Sequence, residues 1–219
     1  LEGGSIVLVY KFTDVKMRTR GGFQWKLGKA RRAPGKSEWL CNEAWLHAYP
    51  DKLTASFMWP AHVSDLYVRF FEAEADGEIL QDTDGNKLGC TRLTLLRELK
   101  PPAISLDVRR RLAIKCAKTS TSSFLSWNSN WQRWADGWLA GERSIETALN
   151  YQQPPYMGAT YHASEAVIRR SPYACKAAAA LAVDRSYASD SFELSEMIRE
   201  AVKEETNLRR AGLIRTGAK

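Results

Sequence analysis

The spacing of apolar positions changes character near residue 100. Before that point they come in short β-branched or alternating runs; beyond it they recur at helical intervals. Ile6-Val-Leu-Val-Tyr-Lys-Phe12, followed by Thr13-Asp14, predicts a buried strand leaving a sheet. Gly21-Gly22 marks a turn, and Phe23-Gln-Trp-Lys-Leu27 alternates in the manner of a short half-exposed strand. Gly28–Lys36, which holds Arg31, Arg32, Pro34 and Gly35, reads as a basic loop, and Trp39–Ala48 is an apolar segment. Leu66–Ala75 gives the strongest strand pattern in the chain, with turn signals at Asp76-Gly77 and Asp84-Gly-Asn86. Leu88–Leu99 predicts one more strand.

Pro101-Pro102 closes this region, because proline continues neither a ladder nor a helix and forces the preceding residue into extended geometry. A domain boundary is expected there, giving a β-rich mixed domain over 6–102 and a helical one over 103–219. Ser105 can cap a helix running to Lys118, and Ser123 another running to Ala140, with Gly141 as its stop. Tyr161–Arg170, Tyr173–Ala188 and Phe192–Arg210 fit three more. The fold class is therefore α+β, a mixed β-sheet domain followed by a helical layer or bundle. Trp127, Trp131, Trp134 and Trp138 fall on one helical face. Indoles at that spacing form core more often than stacking sites. The alanines of Ala174–Ala182 offer a surface of small residues against which such rings could pack.

Composition agrees with a globular chain: 44% of the 219 residues are apolar. No run is long and apolar enough to span a membrane, and Lys176 and Asp184-Arg185 break the Ala-rich stretch. Leu1–Ser5 reads as a scar of expression engineering, with native sequence from about Ile6 and no secretion signal. A cytoplasmic setting is expected. Cys41, Cys90, Cys116 and Cys175 lack Cys-x-x-C spacing and are expected to be reduced, buried thiols, with no metal site.

The net charge of +7 is unevenly placed. Lys11 to Lys36 holds nine Lys or Arg against Asp14 alone, whereas Asp65–Asp84 holds seven acids against Arg69. The basic stretch is a candidate anion-binding surface, built from Lys16, Arg18, Arg20, Lys26, Lys29, Arg31, Arg32 and Lys36, with Phe23 and Trp25 interleaved as stacking candidates. The three histidines are scattered, and no Ser-x-x-Lys, Gly-x-Ser-x-Gly, His-x-x-x-His or Gly-x-x-x-x-Gly-Lys-Ser phosphate loop occurs, which removes support for most hydrolase and nucleotide-binding classes.

Three segments remain on or beside predicted strands: Tyr10-Lys-Phe-Thr-Asp14, Trp45-Leu-His-Ala-Tyr49 and Phe70-Phe-Glu-Ala-Glu74. Their order resembles ADP-ribosyltransferase-like domains, over residues 6–100 and in fragments. That resemblance implies NAD as cofactor, with Lys11, Tyr49 and Glu74 (or Glu72) about the nicotinamide; Lys11 stands where that family has His or Arg. The run from Tyr10 through Trp25, Trp45-Leu-His-Ala-Tyr49 and Glu72–Gly77 to Lys87-Leu-Gly-Cys90 more closely resembles small uncharacterised domains of bacteriophage and bacterial genomes, as does the helical half with its Asn207-Leu-Arg-Arg210 ending. This second resemblance implies a phage-encoded accessory protein acting in the cytoplasm of a bacterial host, with interference in host defence as its role. Three functions follow as alternatives. The first is a non-catalytic binder, without cofactor, that meets nucleic acid, a nucleoprotein or an acidic host protein through its basic surface. The second is the NAD-using enzyme, and the third is an assembly component.

Overall fold

A computed structural model describes residues 6–19, 22–40, 42–58, 68–82, 85–121, 129–142, 144–151, 159–169, 174–175, 177–178 and 194–212. The chain divides into two units, Leu1–Ala103 with Glu193–Ser195, and Ile104–Phe192 with Glu196–Lys219. An antiparallel sheet precedes helices, so the fold is α+β with a helical C-terminal region.

The first unit contains β1 (Val7–Asp14), β2 (Arg31–Arg32), β3 (Leu46–Ala48), α1 (Lys52–Phe57), β4 (Val68–Gln81) and β5 (Leu88–Leu99). The strand order is β1-β4-β5-β2, with β3 pairing a separate stretch of β5. All pairings are antiparallel. Just past β3, Tyr49 exchanges both backbone hydrogen bonds with Tyr10 on β1, N–H to O at 2.9 and 2.7 Å. The sheet thereby curls back on itself into a small barrel. Strand alternation then divides the side chains. Val9, Trp25, Leu46, Ala48, Phe71, Ala73, Ala75, Leu88, Cys90, Leu93 and Leu95 fill the interior. Phe12 and Phe70 face the other way, against Ala55 of α1 with Tyr10 and Tyr49 at the edge. Asp51 caps α1 by accepting from the N–H groups of Leu53 and Thr54.

Three expected features of this unit differ. Asp76-Gly77 does not end β4. The strand continues to Gln81 through a bulge between Asp76 and Ile79, with Gly77 at φ +79°. A glycine with positive φ serves a G1-type bulge as well as a turn, so the dipeptide alone does not distinguish them. Residues 23–27 form no strand. A single bridge, Arg18 to Gln24, closes a tight loop after β1, and the segment expected to be a basic loop contains β2.

In the second unit, α2 (Leu106–Thr121) starts at Ser105, whose hydroxyl accepts from Val108 N–H at 3.0 Å. It is followed by α3 (Ser129–Ala140), α4 (Ile145–Leu149), α5 (Ala159–Arg169) and α6 (Leu194–Arg210). Gly141, at φ +115°, stops α3. Trp131, Trp134 and Trp138 are buried. Trp131 donates its indole N–H to Ser164 at 3.2 Å, so small residues of α5 receive that ring. Trp127 and most of the Ala-rich stretch lie outside the described residues; Ala174, Cys175 and Ala178 are buried. Arg111, 1% exposed, donates to the carbonyl of Leu139 at 2.8 Å and faces Asp107 and Glu204 at 3.5 and 3.6 Å. Among the described residues no helix is long and apolar enough to cross a membrane.

Candidate functional site

The closed barrel decides where the predicted site residues go. Lys11 shares an alternation phase with Val9 and points into the interior, where it is 8% exposed. Its ammonium donates to the carbonyl of His47 at 2.5 Å and lies 4.9 Å from the centre of the Trp25 ring. Burial lowers its pKa from 10.5 to about 8. Burial also lowers His47, to about 4, and raises the neighbouring Cys90 thiol to about 11.

Glu74 is paired with Leu8 on β1 and Thr94 on β5, and so belongs to the opposite face from Lys11. Tyr49 packs beside Phe12 and Phe70 on that opposite face, its hydroxyl donating to the Met58 carbonyl at 3.3 Å. The three side chains expected around a nicotinamide are therefore not gathered at one place. Glu72 lies on the Glu74 side and is held by Arg97 in a two-pronged pair at 2.7 and 3.1 Å, which keeps its carboxyl ionised well into acid.

The basic stretch behaves differently. β2 lies on the edge of β5 away from β4, and residues 28–35 are stitched along that edge by Gly28 N–H to Leu95 O and Ala33 N–H to Thr91 O, both 2.9 Å. The loop after β1 is fastened to this edge by Arg31, which donates to the Gln24 carbonyl at 2.5 Å and covers the Phe23 ring at 5.4 Å. The Gln24 amide in turn donates to the carbonyls of Lys16 and Met17. A strip runs from Lys16 by way of Arg31 to Lys36, and Lys16, Lys26, Lys29, Arg32 and Lys36 are exposed on it without an ion pair among the described residues.

Four of the nine bases drop out of that exposed, unpaired group. Lys11 is interior, Arg18 is paired with Asp14 at 2.9 Å, Arg31 serves as the tie just described, and Arg20 lies outside the described residues. Trp25 also leaves the expected stacking set. It is 2% exposed, and its indole N–H is satisfied by Thr19 Oγ1 at 3.0 Å, because the loop folds it onto the interior side chains of the barrel. Phe23 remains 37% exposed.

Two acids of β4 are engaged away from the strip. β5 separates β4 from β2, and Asp76 and Glu72 are taken by Arg92 and Arg97 on β5 itself. Glu78, beside Gly35, is an acid at the strip's border.

Sequence reasoning misses Trp39. It sits in a segment that reads as apolar, yet its ring is 79% exposed, three residues beyond Lys36. The signal that could have found it is its neighbourhood, Gly35-Lys-Ser-Glu-Trp39, which lacks the apolar partners an inward-facing strand residue would have.

Residues 7–107 match a family described as a domain of unknown function, DUF7666. The match runs from the first residue of β1 to the second of α2, just under half of the chain, and takes in the whole barrel and its basic strip. No curated protein and no solved structure matches the chain.

The second unit holds a groove of about 430 Å³ floored by Trp134 and Tyr151 and rimmed by Asn130, Arg133, Glu142 and Asn150. Its rim carries both signs of charge and favours no polyanion. The thiols of Cys90, Cys116 and Cys175 are free, buried and raised by that burial, which makes them poor nucleophiles. Cys41 lies outside the described residues. Among the described residues no cluster of His, Cys, Asp and Glu could hold a metal.

Proposed function

We propose that the barrel unit is a non-catalytic nucleic-acid-binding module that holds a phosphate backbone along Lys16, Lys26, Lys29, Arg32 and Lys36. One observation carries this reading: five cations are exposed and without an ion pair among the described residues, four on residues 26–36 and Lys16 on the loop that Gln24 and Arg31 tie to them, while Glu72 and Asp76 are paired to β5 arginines and Glu78 stands at the border beside Gly35. Each such cation placed on a phosphate releases condensed counterions, so affinity comes from charge and falls as salt rises. The buried and paired groups of the barrel form a rigid support for the strip, and no catalytic side chain is needed for this task.

The test uses the full chain and labelled oligonucleotides in fluorescence anisotropy. Five phosphate contacts predict that affinity drops by roughly 10²-fold between 50 and 200 mM salt. The K26E/K29E/R32E variant should lose binding with an unchanged melting temperature, because all three side chains are exposed and unpaired. A chain that binds no oligonucleotide at 50 mM salt overturns the proposal and leaves an acidic protein surface as the partner for the strip.

A further inference from the structure

The proposed strip ends beside an indole that the fold holds out in solvent. Trp39 is 79% exposed, and among the described residues its ring has no hydrogen bond and no aromatic or cationic neighbour. Its backbone is nonetheless held on both sides. Asn42 donates through its amide to the Trp39 carbonyl at 2.8 Å, and Ser37 Oγ accepts from the Trp39 N–H at 3.2 Å. The Ser37 carbonyl accepts from the buried Trp45 indole at 3.1 Å. On the other side, His47 Nε2 meets the Leu40 carbonyl at 2.5 Å. With burial lowering its pKa to about 4, His47 is neutral at physiological pH and serves as the donor. Leu40 itself packs against Gly89 of β5, where an added Cβ would lie 2.6 Å from Leu40 Cδ1. A loose loop tip would leave its tryptophan to find cover; this one is tied to the barrel at Trp45, His47 and Gly89.

Leaving so large an apolar ring in water forgoes the burial that ordinarily stabilises a fold. Lys36 is at most about 11 Å away along the chain. A tethered exposed indole three residues from exposed Lys36 matches what a single-stranded nucleic acid offers: phosphates for the cations, and an unstacked base face for the ring. Duplex DNA keeps its base faces covered and offers only the phosphates.

Resting on the nucleic-acid reading above, we infer that the ligand class is single-stranded nucleic acid and that Trp39 is the base-stacking residue of the strip. Anisotropy of the full chain with a labelled oligothymidylate, an abasic strand of the same length and a duplex tests this. Wild type should prefer the single strand to both others. W39A should lose roughly 10- to 100-fold on oligothymidylate, since stacking on one aromatic is worth about 1–3 kcal/mol by alanine substitution. The same variant should leave abasic-strand affinity, salt dependence and melting temperature unchanged. W39F should keep most of the affinity. W39A binding oligothymidylate as tightly as wild type, or wild type binding duplex and single strand equally, overturns the inference while leaving the basic strip in place as a phosphate site. Absence of binding to all three ligands overturns both.

Discussion

Taking an ammonium group out of water into the middle of a small barrel works against folding, and Lys11 receives in return one hydrogen bond to the His47 carbonyl and the face of Trp25. A pKa lowered from 10.5 to about 8 corresponds to a destabilisation of about 3 kcal/mol when the group is charged in both folded and unfolded chains. Below pH 8 that destabilisation is fully present. Between pH 8 and 10.5 the folded state has released the proton and the unfolded state has not, so stability rises with pH across that window. K11M, which keeps the stem and drops the charge, is expected to raise the unfolding free energy at pH 7 by about 1–3 kcal/mol. Its advantage over wild type should shrink between pH 8 and 10.5, as read by urea denaturation at a series of pH values; an advantage that stays constant contradicts this role for Lys11. Part of it is legible in the sequence. Alternation along Ile6–Phe12 puts Lys11 in phase with Val9, but which phase is interior depends on distant Tyr49 closing onto Tyr10, and a linear pattern does not encode that. The separation of Lys11 from Glu74 depends in the same way on the register that sets Val7 opposite Ala75.

The strands at Val7–Asp14 and Leu88–Leu99, the strand core at 68–75 and the helix starting after Ser105 are readable from the chain, because each carries several turns' or pleats' worth of consistent periodicity. Three-residue β3, two-residue β2, six-residue α1 and five-residue α4 are not, since elements that short are held by tertiary pairing rather than by their own pattern. The bulge in β4 is masked by a dipeptide that serves a turn equally well. Close approach at Gly89 is another feature that only packing reveals. Its Cα stands where a Cβ would come within 2.6 Å of Leu40 and 2.7 Å of Trp45. G89A should cost about 1–3 kcal/mol of stability through displacement of the segment that carries Trp39, and should weaken single-strand binding along with it. A variant with wild-type melting and wild-type affinity would show that this packing does not hold the loop.

Across the molecule, the charge asymmetry seen in the sequence survives folding but changes meaning. Two acids of the acidic run, Glu72 and Asp76, are held in cross-strand pairs with β5 arginines, whereas five bases of the basic run are exposed without an ion pair among the described residues. Counting charges along the chain locates the strip and its sign; it does not separate an interior lysine, a paired arginine and a structural arginine from the five exposed cations left to meet a ligand. The slope of log affinity against log salt is the decisive quantity for this surface, because it counts the cations engaged with phosphate rather than the total strength of binding. On a single strand, K26Q/K29Q/R32Q should reduce the slope by about 2 relative to wild type, at roughly 0.7 for each phosphate no longer neutralised. A slope identical to that of wild type would contradict the assignment of the strip as the nucleic-acid surface.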